Sequence, residues 1–379
     1  MKRKMFFAAT LAAVMALGLA GCGQAKTTTV GLVTETGEGY TSTANELAGG
    51  INSFTSENSA AAKLYKVTDS SEDAYTTAFD QAAKDGAGIV VTVSGNAEVP
   101  LYKAQKAHKN TRYIIFSGAP RKNADDDASL RKNTVSVAFS AKDMGFMSGY
   151  AAVKNGFRNL GFLSGEETDT SDAYKNGFVS GAEYAAQEDN LTAGGVIINT
   201  EFAGTDELMP LRATDAMTWY ENGCEFIVTD KPSLAPALLT AANAEDGKTC
   251  GFLGFTPTTD LSTDCVLFSS VPDYEGATEA MLTAAAKGGN SFSGGKTVEC
   301  GFTEKAIRLE TNFSNLQGLT EDAYNNFRSA AQTGLELPDK ITIVTESEQQ
   351  PVNPAALSQQ TTEATSEATL SNYTQNTNG

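Results

Sequence analysis

The sequence predicts an α/β protein built as two lobes in series, each a doubly wound parallel sheet flanked by helices. Three observations carry that prediction. Short runs rich in β-branched and aromatic residues, such as Ile89–Val93, Val135–Phe139 and Leu160–Leu163, alternate with longer stretches of helical periodicity. Strand–helix–strand order feeds parallel sheets through crossover helices. The alternation runs from Val30 to Val344, longer than one hydrophobic core usually serves. Several strands also end in Gly, Ser, Asn or acidic residues, the composition of ligand loops at the carboxyl ends of an open sheet.

Taken in order, Val30–Thr34 is a strand and Ser42–Phe54 a helix, and Leu64–Val67 and Glu72–Lys84 repeat the pair. Ile89–Val93 is bounded by Ser94-Gly95-Asn96, followed by a helix near Val99–Ala107. The strands Tyr113–Phe116 and Val135–Phe139 complete the first lobe. Ser140 and Asp143 offer caps for a helix containing Met144, Met147, Ala151 and Ala152. Leu160–Leu163 and a helix through Phe178 and Ala182 follow. Gly145, Gly149, Gly177 and Gly181 each cost helix propensity, about 1 kcal/mol against alanine, so close packing against the sheet is the expected compensation. Further strands are expected at Val196–Ile198, Phe226–Val228, Gly251–Phe255 and Val266–Ser269, with helices at Leu208–Tyr220, Leu234–Ala244 and Tyr274–Ala285. A β-rich piece at Thr297–Arg308, a helix at Glu321–Gln332 and a strand at Ile341–Val344 finish the fold.

Both ends lie outside this pattern. Lys2, Arg3 and Lys4 precede an apolar run from Met5 to Leu19 and then Leu19-Ala20-Gly21-Cys22. That is a secretory leader, too short for a comfortable membrane span. Its small residues before a cysteine resemble the bacterial lipobox, which implies lipidation of Cys22 and attachment to the extracytoplasmic face of the cell membrane. A multiply acylated cysteine anchors stably. After Glu346 the chain turns to Gln, Thr, Ser and Asn, so residues 346–379 are expected to be disordered. The net charge is −18, and removal of residues 1–21, with three basic groups and no acidic one, makes it −21. Such a chain repels phosphate backbones, which excludes nucleic acid polymers as partners.

Enzyme classes find little support. His108 is the single histidine and sits in the basic helix end Lys106–Lys109, where a surface position is expected. There is no G-x-S-x-G elbow and no P-loop. Gly37-Glu38-Gly39-Tyr40-Thr41-Ser42 matches a dinucleotide fingerprint except at its last position, and Glu38 sits badly beside a pyrophosphate. No metal or cofactor is expected. Cys224, Cys250, Cys265 and Cys300 match no zinc pattern and leave two alternatives open, one structural disulfide or free buried thiols.

The strand ends nominate a ligand site. In the first lobe they supply Glu38, Tyr40 and Ser42, then Ser94, Gly95 and Asn96, then Ser117 and Phe139. In the second they supply Gly165, Glu166, Tyr174, Asp230 and Thr256, while Asp206 reads as a helix cap and Trp219 as core. Glycines admit backbone amides to a ligand, and Tyr40 and Tyr174 offer rings to stack on a flat small molecule.

Asn133-Thr134-Val135-Ser136-Val137-Ala138-Phe139, Gly149-Tyr150-Ala151-Ala152, Gly161-Phe162-Leu163-Ser164-Gly165 and Tyr174-Lys175-Asn176-Gly177-Phe178 together carry a family likeness. They resemble the basic-membrane-protein family of substrate-binding lipoproteins, which includes purine nucleoside receptors of ABC-type importers. The resemblance implies a type I periplasmic-binding-protein architecture, a monomer, a small-molecule ligand, and permease and ATPase partners. It implies three crossings between lobes, placed after Phe139, near Ser270 and near Ser293. The expected segments are a linker at 22–28, a first lobe at 29–139 plus 271–292, and a second at 140–270 plus 293–345. Nucleoside-binding relatives carry Asp-Asp-x-Ser-Phe-Asn where this chain has Gly39-Tyr40-Thr41-Ser42-Thr43-Ala44. Thr256 stands in place of their sugar-binding Asp and Pro272 in place of a lysine. The resemblance therefore implies a receptor with altered ligand preference. The alternative from another class is a surface sensor or adhesin that reuses the fold.

Overall fold

The computed structural model describes residues 28–35, 41–93, 95–204, 209–256, 264–335 and 343–348. Cys22, Glu38, Tyr40, Ser94, Asp206 and the tail beyond Glu348 lie outside these residues.

The first sheet is wholly parallel. It contains β1 (Thr29–Glu35), β2 (Ala61–Val67), β3 (Ile89–Val93), β4 (Arg112–Phe116), β5 (Thr134–Phe139) and β11 (Thr297–Cys300), in the order β11-β5-β4-β3-β1-β2. Helices α1 (Thr41–Asn58) and α8 (Tyr274–Lys287) cover one face, where Leu47, Ile51 and Phe54 meet Ala277, Met281 and Leu282. Helices α2 (Glu72–Lys84) and α3 (Glu98–Ala107) cover the other through Tyr75, Phe79 and Leu101. Both faces of the strands are thus apolar, which explains why they read as continuous rather than alternating runs.

The second sheet runs β12-β10-β9-β8-β6-β7-β13. Its strands are β6 (Asn159–Ser164), β7 (Val196–Phe202), β8 (Phe226–Thr229), β9 (Thr249–Leu253), β10 (Val266–Pro272), β12 (Ile307–Thr311) and β13 (Val344–Glu348). β12 alone is antiparallel, pairing Ser269 with Glu310 and Pro272 with Ile307. Helices α4 (Ala141–Lys154), α5 (Asp169–Glu188) and α9 (Glu321–Gln332) pack on one face, α6 (Met209–Glu221) and α7 (Ala235–Ala244) on the other. Trp219 lies in the core beneath α6, as its helical spacing requires. Among the described residues no helix is long and apolar enough to cross a membrane.

Four sequence expectations change here. The glycines of α4 and α5 bring the two helices against each other, not against the sheet. A Cβ at Gly145 would stand 2.1 Å from the Tyr174 carbonyl oxygen, and one at Gly149 1.9 Å from that of Phe178. Gly177 and Gly181 meet the Lys142 and Phe146 carbonyls at 2.0 Å in the same way. The third passage between sheets lies between Cys300 and Ile307 rather than near Ser293, because Thr297–Cys300 adds to the first sheet beside Ser136–Phe139. Pairing of Val344–Glu348 with Val196–Thr200 keeps Glu346–Glu348 in a strand, beyond the expected start of the tail. His108 is partly buried as the C-cap of α3, with Nε2 2.6 Å from Asp80, instead of lying free on the surface.

The crossing segments meet. Ser140 donates its N–H to the Cys300 carbonyl at 2.9 Å, and Asp273 donates to that of Ala306 at 2.7 Å. Asp143 accepts the Phe302 N–H at 2.9 Å. Since β5, β10 and β11 all end at this junction, the carboxyl edges of both sheets converge on it.

Candidate functional site

The first-lobe half of the site is a polar and aromatic set at the ends of β1, β3, β4 and β5. Glu35, the last residue of β1, is 7% exposed and accepts hydrogen bonds from Tyr75 Oη (2.9 Å), Ser70 Oγ (3.0 Å) and Asn96 Nδ2 (3.2 Å). A buried carboxylate needs such donors, and these tie the loops after β2 and β3 to β1. Asn96 is exposed behind Gly95, whose φ of +87° suits glycine. Ser117 ends β4 at φ +56°, a left-handed conformation that costs a serine energy, and its Oγ lies 2.9 Å from Tyr274 Oη. Phe139, half-buried, packs edge-on against the Tyr274 ring at 4.8 Å between centroids and lies stacked with Phe116 at 6.0 Å.

Ser42 falls in the first turn of α1, exposed, rather than capping it, because the helix already begins at Thr41.

The second-lobe half gathers at the ends of β6, β8 and β9. Asp230 is 9% exposed and accepts the Ser164 hydroxyl at 2.6 Å, with Lys231 Nζ 3.4 Å from its other oxygen. The Lys231 stem lies over Gly165 within 3.4 Å of where a Cβ would stand, so this glycine gives the lysine room. Glu166 is exposed beside it. Tyr174 departs from the expected open stacking wall. Its ring is 8% exposed, with Oη 3.9 Å from Met144 Sδ and crowding Gly254. Burial, and then the nearby Asp230 carboxylate, raise its phenol well above the usual range. The ring thus supports the floor of this lobe from below the strand ends.

Thr256 Oγ1 donates to Glu310 Oε2 at 2.5 Å. A carboxylate therefore reaches the Thr256 position from β12. Sequence reasoning missed Glu310, since 54 residues separate the pair and only the antiparallel return of β12 joins them. It also missed Lys231, Tyr274 and the Glu35 hub. Tyr274 carried a signal, as the first residue of the helix expected after a crossing.

A bidentate ion pair joins the lobes beside this site. Arg308 of β12 donates to both Glu46 oxygens of α1, at 2.7 and 3.0 Å, and also to the Pro272 carbonyl at 3.2 Å. Arg328 of α9 reaches Asp273 at 2.8 Å. Together the strand ends offer hydroxyls, an amide, the carboxylates of Glu35, Glu166, Asp230 and Glu310, an ammonium and an aromatic pair on opposite sheets joined at one junction. That arrangement can surround and hold a small polar molecule. Among the described residues no three metal-ligating side chains cluster.

Residues 29–339 match the family model described as ABC transporter substrate-binding protein PnrA-like. No curated protein sequence matches the chain. Among solved structures, an ABC transporter solute-binding protein from Conexibacter woesei is similar over 82% of this chain and 99% of its own, at 13% identity and TM-score 0.54. The arabinose-binding protein AraP from Geobacillus stearothermophilus is similar over 80% and 99%, at 9% identity and TM-score 0.50. A transcriptional activator of the comK gene from Bacillus halodurans is similar over 80% and 96%, at 14% identity and TM-score 0.51. At such identities the likeness establishes the fold alone, that of the type I periplasmic binding proteins.

Proposed function

We propose, for a chain that belongs to the PnrA-like family of ABC transporter substrate-binding proteins, that it is a lipid-anchored receptor delivering a small polar or heterocyclic ligand to an importer. The observation that carries this reading is the convergence of the carboxyl edges of both sheets, with polar groups supplied from each side. Ligands of open parallel sheets bind at that edge. A hinge of crossing strands lets the lobes close on the ligand and gives a permease two states to distinguish.

In this reading Asn96, Ser117, Phe139 and Tyr274 contact the ligand from the first lobe, and Lys231, Glu166, Asp230 and Glu310 from the second. Glu38, Tyr40, Ser42 and Ser94 complete the first-lobe loops, and Cys22 holds the mature protein on the extracytoplasmic face of the membrane. Thr256 cannot accept two sugar hydroxyls as a carboxylate does, and Pro272 supplies no charge. Hydrogen bonds to charged groups contribute roughly 1.5–3 kcal/mol each, so loss of two weakens a nucleoside by about a hundredfold or more. Glu310 offers a substitute acceptor displaced onto another strand, which fits a hydroxyl-bearing ligand of different outline.

The test is mass spectrometry of the small molecule released from purified mature protein, followed by calorimetry with that compound, adenosine and guanosine. The expected result is one released polar metabolite that rebinds tightly while both nucleosides bind weakly. Nanomolar binding of either purine nucleoside would overturn the altered preference. An empty protein that binds none of a panel of nucleosides, sugars and amino acids would overturn the receptor reading.

A further inference from the structure

We infer that the base of the first lobe, at the edge of the sheet opposite the ligand site, docks on anionic lipid headgroups through Lys109, Arg131, Lys132, Lys287 and Lys296. This goes beyond ligand binding but rests on the Cys22 anchor proposed above.

The starting strand ends of β1, β3 and β4 surround a cavity of about 520 Å³ whose lining includes Thr28, Lys109, Arg112 and Lys132 and contains no carboxylate. Backbone contacts draw the other cations to the same pole. Gly295 donates its N–H to Thr134 O at 2.7 Å and Ser136 to Lys296 O at 3.1 Å, while Thr134 donates to Arg131 O at 2.8 Å. Gly288, next to Lys287, lies against the Arg112 guanidinium. Arg112 is itself fixed, donating to Ala285 O at 2.6 Å and lying 5.6 Å from the centre of the Phe292 ring.

Lys109, Arg131, Lys132, Lys287 and Lys296 are all exposed, and among the described residues none has a carboxylate partner. Other surface lysines are matched in Lys63–Asp85, Lys103–Glu72, Lys154–Glu188 and Lys305–Glu279, whereas these five cations stand near one another without such a partner. A chain of net charge −18 that gathers unmatched positive charge at one pole has an electrostatic footprint for an anionic surface there.

The position of the anchor selects the lipid surface. Thr28 lines this cavity, and Cys22 precedes it by six residues. A fully extended chain spans at most ~3.3–3.6 Å per residue, so the pole stays within about 20 Å of the acylated cysteine. The attraction of basic residues to anionic headgroups acts within a Debye length, ~8 Å in physiological salt, and the tether holds the pole near that range. Docking there leaves the ligand site, at the far edge of the same sheet, clear of the headgroups.

The test uses the full lipidated receptor in phosphatidylcholine vesicles with and without phosphatidylglycerol, and reads lysine acetylation by mass spectrometry. Each basic residue near an anionic surface contributes a factor of roughly five. Lys109, Lys132, Lys287 and Lys296 should therefore be acetylated at least about five-fold more slowly on anionic vesicles, with recovery in high salt. Lys122 and Lys142, exposed at the opposite edge, should be unaffected. Equal labelling of the four basal lysines on both vesicles would overturn the proposal. Flotation with neutral vesicles reads the anchor separately. If that flotation fails, the anchor reading falls, and flotation on anionic vesicles that is lost in Lys109→Glu/Lys132→Glu still supports the surface. Flotation with neither vesicle overturns both.

Discussion

Asp143 lies where two crossing segments touch, its carboxylate accepting the Phe302 N–H from the third passage. Burial raises its carboxyl above the ordinary range; the Phe302 bond opposes this, while Glu299 and Glu304 add to it. A raised folded-state value means that the folded protein binds the proton more tightly than the unfolded chain. The stabilising contribution is then full below the unfolded-state value and is lost as pH rises through the folded one. Asp143→Asn keeps an acceptor for Phe302 and removes that loss. Its stability relative to wild type should improve steadily from about pH 3 to pH 7, read as urea midpoints; a constant difference would contradict the assignment. The cysteines give a second test. Burial pushes the Cys224 and Cys300 thiols up to about 12. Thiolates are the reactive form, so native protein at pH 8 should resist iodoacetamide at both positions while urea-unfolded protein reacts. Rapid native labelling of either would place that residue nearer solvent than it lies here. Single residues were the least legible scale. The sequence placed Tyr174 at a strand end but could not say that its ring turns under Gly254.

Helices α4 and α5 pack backbone to backbone through four glycines, each opposed by a carbonyl oxygen about 2 Å from an added Cβ. Gly149→Ala must push the helices apart, and overpacking of this kind costs about 1–3 kcal/mol. Thermal unfolding should report that loss, whereas Gly86→Ala, with no atom within 4 Å and φ +85°, reports the cost of backbone strain alone. A Gly149→Ala protein as stable as wild type would mean that the contact is loose. Elements as such were legible, because strands buried on both faces must be apolar throughout and caps such as Ser140 and Thr320 stand where helices begin. Allegiance to a sheet was not. Thr297–Arg308 reads as one β-rich piece, yet Cys300 ends a strand paired with Phe139 while Ile307 begins one paired with Pro272. Six intervening residues change lobes with no change in composition. The final strand is held in a way no local pattern announces. Glu183, fully buried in α5, accepts the Ile343 and Val344 N–H groups at 3.0 and 2.9 Å.

At the scale of the molecule, the crossing segments and the Glu46–Arg308 pair make one junction on which both candidate half-sites stand. Two lobes and their alternation could be read from the sequence because each lobe repeats the same βα grammar. The composition of the site could be read only in part, since Glu310 enters it from a strand that returns antiparallel after the hinge. On the proposed function, a small ligand is captured between the lobes and its capture closes them. Small-angle scattering of the purified receptor, stripped of its ligand and then given back the compound released from it, tests this most directly. The expected result is a smaller radius of gyration on rebinding, with Asn96→Ala in one lobe and Lys231→Ala in the other each weakening the response. Tight rebinding with an unchanged scattering curve would contradict it.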